Sequence, residues 1–68
     1  MKKYTYVFEN EDLGWFGVGG MTSEAEALKF AIDEGIIEAD TETLLLEEVD
    51  EDDVMYDDIL DAYGVDVY

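Results

Sequence analysis

From position 30 to position 68 the chain carries fifteen Asp and Glu residues and not one Lys or Arg. The first 29 residues hold five acids and all three bases, Lys2, Lys3 and Lys29, so the net charge of −17 divides into −2 and −15. The densest stretch, EEVDEDDVMYDDILDAYGVD at 47–66, has ten acids in twenty residues. Any fold must bring this half together with no opposite charge of its own to relieve the repulsion. Such acidity often marks disorder. Here 49% of residues are hydrophobic and 13% aromatic, too many for a solvated tail, so the chain is expected to fold.

With 68 residues the expected unit is one domain, 1–68. A chain of this size buries only roughly 60% of the surface its unfolded form exposes, which leaves a marginal core. There is no Cys, which excludes disulfides and thiolate metal sites, and no His, which removes the commonest general base and metal ligand. No apolar run approaches the roughly 20 residues that span a bilayer. MKKYTYVFE begins basic but reaches Glu9 before any long apolar region, unlike a signal peptide. A soluble protein of the cytoplasm is expected. A field this negative repels nucleic acid and anionic membranes and attracts cations and basic protein surfaces.

The local patterns predict a ββαβα order. YTYVF at 4–8 alternates as a strand does, with Tyr4, Tyr6 and Phe8 on one face and Thr5 and Val7 on the other. ENEDLG at 9–14 is a turn, and WFGVGGM at 15–21 is a second strand whose glycines mark a bulge or a close backbone approach. Ser23 with Glu26 fits a capping box. The helix after it turns Ala27, Leu28, Ala31 and Ile32 inward and stops at Gly35. TETLLLEEV at 41–49 is the third strand. Asp50 or Asp52 is expected to cap a second helix, with Met55, Ile59 and Tyr63 as its inner stripe, Tyr56 and Leu60 beside it, and Gly64 at its end. VDVY forms a fourth short strand or a tail. The fold class is α+β, with an antiparallel or mixed sheet and both helices on one side. Trp15, Phe16, Tyr4, Tyr6 and Phe8 are read as core, because small domains need such area.

Asp53, Asp57 and Asp61 are four apart, which places them on one face of a continuous helix about 6 Å from one another along the axis. Asp50 and Asp58 flank the row. Like charges at this spacing destabilise a helix by a few tenths of a kcal/mol per pair, and Asp is a poor helix former. Selection for folding alone would have mixed the signs, and a local inconsistency of this kind points to function. Carboxylates about 6 Å apart on a rigid element present a ladder of negative charge comparable to the phosphates of a nucleic-acid strand, roughly 3.4 Å apart along the axis. Lys and Arg built to hold phosphates would meet a surface that satisfies them equally. Exposed aromatics such as Trp15, Tyr56 or Tyr68 would add short-range anchoring.

Other readings remain. Salt adaptation makes acidic surfaces general, but the first 29 residues are nearly balanced. An acidic face kept for solubility explains a moderate charge better than −15 in 39 residues. A calcium loop beginning at Asp50 and Asp52 fails at Val54 and at Met55, where Gly is expected. GVGG at 17–20 lacks the Lys and Ser/Thr of a phosphate loop. Carboxylate pairs are too common here to single out an acid–base dyad. No enzyme, cofactor or dedicated metal site is expected.

With its size, lack of Cys, α+β pattern and the residues EEVDEDD…DD..D at 47–61, the chain resembles the small acidic nucleic-acid mimics of phages and mobile elements. These include anti-CRISPR proteins, antirestriction proteins and the uracil-DNA glycosylase inhibitor. ENEDLGWFGVGG is similar to a glycine-aromatic segment of antirestriction proteins. The resemblance implies a DNA-mimic inhibitor, an anti-CRISPR protein foremost, that occupies the basic DNA-binding groove of a CRISPR effector or another host defence nuclease. The partner-binding residues would be Glu47, Glu48, Asp50, Glu51 and Asp52, together with Asp53, Asp57, Asp58, Asp61 and Asp66. The protein would act as a monomer or homodimer in the host cytoplasm. An acidic adaptor or antitoxin-like protein, and a structural phage protein, are the competing classes.

Overall fold

Tyr4–Asn10 forms the first strand, β1, and it is buried on both faces: Thr5, Tyr6, Val7 and Phe8 are all nearly inaccessible. The computed structural model, which describes all residues from 1 to 68, explains why. β2 (Gly14–Met21), α1 (Glu24–Asp33), β3 (Thr43–Asp50) and α2 (Tyr56–Tyr63) follow in the order expected. Three antiparallel strands pair in the order β2-β1-β3, so the first strand is the central one. A central strand needs cover on both sides, and each helix supplies one.

On the first side, Tyr6, Phe8, Phe16 and Val18 meet Ala27 and Ala31 of α1, with Ile37 closing the cluster. The small Ala side chains let the helix axis approach the sheet, and the aromatic rings fill the space, with Phe8 and Phe16 centred 5.4 Å apart. Ser23 accepts the Glu26 backbone N–H at the helix start, and Glu26 reaches back to the N–H of Thr22. Gly35, at φ +74°, lets the chain leave the helix in the left-handed region. Ile32, expected to face inward, is exposed because Ala27 and Ala31 define the buried stripe and Ile32 lies beside it.

The second side corrects the expectation that both helices share one face. Thr5, Val7 and Val49 lie on this side, and α2 covers it. The Tyr56 hydroxyl is 2.7 Å from Thr5 Oγ1, the Tyr63 hydroxyl donates to Glu47, and the Tyr63 ring stands edge-on to Trp15. All three contacts are to residues that alternate away from the α1 core. The physical reason is the strand order. Leaving Thr5, Val7 and Val49 uncovered would expose the central strand to water.

The start of α2 also differs. Neither Asp50 nor Asp52 caps it; Met55 is the N-cap residue, with no side-chain bond. Asp50 accepts the Asp52 N–H and Asp53 accepts the Met55 N–H through their carboxylates, two successive turns closed by Asp side chains. Asp competes for nearby backbone donors in this way and so delays the helix. Met55, expected in the core, is half exposed, and no α2 residue is fully buried. Gly64, at φ +67°, ends the helix as expected.

The expected short fourth strand is present as a bridge. Val67 pairs in parallel with Gly17, and the chain end runs along the outer edge of β2. A Cβ on Gly17 would come within 3.2 Å of Val67, and one on Gly19 within 3.1 Å of both Val67 and Thr5. The β2 glycines therefore serve both expected purposes: close approach at these positions, and a register shift opposite Tyr4–Tyr6 where Gly20 adopts φ +72°. At the hairpin, buried Asn10 accepts the N–H groups of Asp12 and Leu13 and donates to Thr41 and Thr43. Its side chain is fully partnered, as burial requires. No helix is long and apolar enough to cross a membrane.

Burial, and then the hydrogen bond that its hydroxyl gives Glu48, push the Tyr6 phenol up to about 12. The folded state thus holds this proton more tightly than the unfolded chain, whose Tyr titrates near 10. The resulting stability is fully present below pH 10 and is lost as pH rises toward 12. An ultraviolet titration should show a late tyrosinate step near pH 12 that Tyr6→Phe removes. A step that survives the substitution would refute the assignment.

Candidate interaction surface

Tertiary contacts sort the ten acids of the predicted surface into two groups. Five are engaged within the fold. Glu47 accepts from Tyr63 at 2.7 Å and Glu48 from Tyr6 at 2.8 Å. Glu51 accepts from Thr5 Oγ1 at 3.0 Å and from the Gly20 N–H at 2.6 Å. Asp53 holds the Met55 N–H. Asp50 pairs with Lys2, and that hydrogen bond holds its carboxyl below the usual carboxylate range. The other five, Asp52, Asp57, Asp58, Asp61 and Asp66, are exposed, and their carboxylates accept no hydrogen bond from the protein.

The late helix start breaks the predicted row of three. Asp53 lies in the turn before α2, so only Asp57 and Asp61 share a helical face at a spacing of four. Asp57 and Asp58 fall in the first turn, where the helix dipole favours negative charge. This placement, not visible from spacing alone, removes part of the penalty assigned to them. Asp61 receives no such help.

Counter-charge is scarce: two of the three bases are committed, and the exposed Lys3 makes no ion pair. Lys2 pairs with Asp50, and Lys29 pairs with Asp33 one turn along α1. Both pairs are exposed and contribute little to stability. No base lies on α2 or in the turn before it. The opposite layer is acidic too: Glu24, Glu34 and Glu38 are exposed on and after α1. Negative charge therefore covers both helical layers, and α2 with the turn before it contributes no cation of its own. Mutual repulsion between these exposed charges weakens as the screening length falls from about 8 Å at 0.15 M salt to about 3 Å at 1 M. The melting temperature should rise over that interval in NaCl. A flat or falling curve would mean that the carboxylates do not strain the fold.

One feature was left open by the sequence reading and one escaped it. Trp15, read as core and also as an exposed anchor, is 52% exposed and rests against Tyr63 with ring centres 5.8 Å apart. It stands opposite Glu9 on β1, as does Leu44 from the other strand. Tyr68 is likewise half exposed, whereas Tyr56 is half buried with its hydroxyl on Thr5. At the hairpin end Glu9, Glu11 and Glu42 line an open recess of about 320 Å³ with Leu44. Only the register brings Glu42 there, because its carbonyl accepts the Glu11 N–H across the ladder. No group of three or more carboxylates has the arrangement of a metal site.

Compared with known proteins, the chain matches no family model, no curated protein and no solved structure.

Proposed function

We propose that the protein is a nucleic-acid-mimic inhibitor whose α2 layer enters the basic groove of a nucleic-acid-binding protein. The observation that supports this reading is the group Asp52, Asp57, Asp58 and Asp61, exposed, without an ion pair, and carried by a segment that contains no Lys or Arg. Asp57 and Asp61 project from one helical face about 6 Å apart. Guanidinium and ammonium groups that hold phosphates would pair with these carboxylates by charge-assisted hydrogen bonds. Opposite fields would speed encounter, and Trp15 and Tyr68 stand exposed as apolar anchors. Inhibition would follow from occupancy, with no bond made or broken. In keeping with the resemblance, the expected target is a host defence nuclease in the cytoplasm, a CRISPR effector before a restriction enzyme.

Competition tests the reading. A partner captured from host lysate should bind either this protein or duplex DNA, and each should displace the other. Simultaneous binding of both would overturn mimicry and favour an acidic adaptor. The exposed acids on the α1 layer support a second reading, a salt-adapted surface with no partner. On that reading capture recovers nothing, and the protein's only response to salt is its stability.

A further inference from the structure

The sheet has two outer edges, and the chain closes only one of them. Along β2, Gly17 N–H donates to the Asp66 carbonyl, Gly19 N–H to the Tyr68 carbonyl, and Tyr68 N–H back to the Gly17 carbonyl. Nothing pairs with the outer edge of β3. Open edges invite an added strand, and proteins normally blunt them with Lys, Pro or a bulge. The first residues of β3 carry none of these: Leu44 is 53% exposed and Leu45 38%. The register shift comes later, where the partners pass from Phe8–Leu45 to Val7–Glu47 and Leu46 is left over.

The register also sets which backbone groups point outward. Glu11 N–H donates to the Glu42 carbonyl, and the pairs Asn10–Thr43, Glu9–Leu44 and Phe8–Leu45 follow. Bonded and non-bonded pairs alternate in an antiparallel ladder, so Leu44 bonds to β1 while Thr43 and Leu45 direct N–H and C=O away from the sheet. Beyond the shift, Glu51 N–H donates to the Lys3 carbonyl. The same alternation then turns Glu48 and Asp50 outward. The edge is thus a backbone template with leucines at one end and carboxylates at the other.

We infer that this edge receives an extended basic segment of a protein partner as an added strand. Apolar residues of the segment lie against Leu44 and Leu45, and its Lys or Arg residues lie near Glu47 and Glu48. Charge selects this occupant. A second copy would bring −17 against −17 along an edge flanked by Glu42, Glu47 and Glu48. The inference needs only a basic partner strand, and it stands even if duplex DNA fails to compete.

The probe is a ten-residue peptide with Val in one half and Lys in the other, made in both orders so that Val can meet Leu44 and Leu45 while Lys meets Glu47 and Glu48, titrated into the ¹⁵N-labelled full chain at fixed salt. The control replaces two of its Val by Pro. The expected result is at least tenfold slower amide exchange at Thr43 and Leu45, cross-strand contacts from the peptide to these residues, and at least tenfold weaker binding of the control. Leu45→Pro removes an outward donor without taking a bond from β1, and it should reduce peptide affinity at least tenfold with a native-like spectrum. If Leu45→Pro unfolds, Leu45→Lys serves the same purpose by repelling the peptide. Equal binding of probe and control without protection at Thr43 and Leu45 would overturn the inference. So would the absence of binding, or a free protein that sediments as a dimer with Thr43 and Leu45 already protected.

Discussion

Phe8→Ala is expected to lower the free energy of unfolding by about 3–5 kcal/mol. Phe8 is wholly inaccessible, is centred in the middle strand, and touches the rings of both Tyr6 and Phe16. Truncation leaves a cavity beneath α1 that Ala27 and Ala31 are too small to fill. A domain of this size holds about 3–5 kcal/mol in total from a single core, and here exposed like charges oppose folding. The variant should therefore be largely unfolded at 25 °C. Urea titration followed by circular dichroism and by Trp15 fluorescence checks it. Leu44→Ala is the control: this residue is half exposed, and its loss should shift stability by no more than about 0.5 kcal/mol. Comparable midpoints for the two variants would show that the cluster on the α1 side is not the main source of stability.

The second large effect is on binding. Replacing Asp57, Asp58 and Asp61 together by Lys should weaken partner binding at least a hundredfold, about 2.7 kcal/mol. Each exposed pair alone is worth under about 1 kcal/mol, but reversal also sets like charges against each other across the interface, which costs more. Stability should stay within about 1 kcal/mol of the parent. Lys is the better helix former and relieves the Asp57–Asp61 repulsion, while positive charge in the first turn of α2 opposes the dipole. Asp53 is left out because its carboxylate holds the Met55 N–H, so its replacement would confuse binding with folding. Calorimetry at one salt concentration, with a melting curve for each protein, separates the two. A triple variant that binds as tightly as the parent would sink the proposal that α2 enters the groove.

These variants reflect how the candidate surface divides. The sequence identifies the acidic half but treats its members alike. Glu47, Glu48 and Glu51 look as free as Asp57 and Asp58. Their partners lie 16, 42 and 46 residues away, in Tyr63, Tyr6 and Thr5. Spacing reports only on neighbours three or four positions apart, so it cannot reveal such engagements. The broken row at Asp53 has a local cause instead: Asp50 and Asp53 take backbone N–H groups two residues on, and this turn chemistry prevailed over helical periodicity.

What the residues determined by themselves was local. Alternation marked β1, Ser23 started α1, Gly35 and Gly64 stopped the helices, and the order ββαβα followed. Each of these signals acts within a turn or along one strand, through sterics and nearby hydrogen bonds. The tertiary structure decided which strand lies in the middle, and hence that α2 must cover the face opposite α1. It decided that Trp15 and Met55 stand exposed, which carboxylates are held by hydroxyls, and which edge of the sheet stays open. Those outcomes depend on burying apolar area and partnering polar groups across the whole chain, a long-range balance that no single stretch contains.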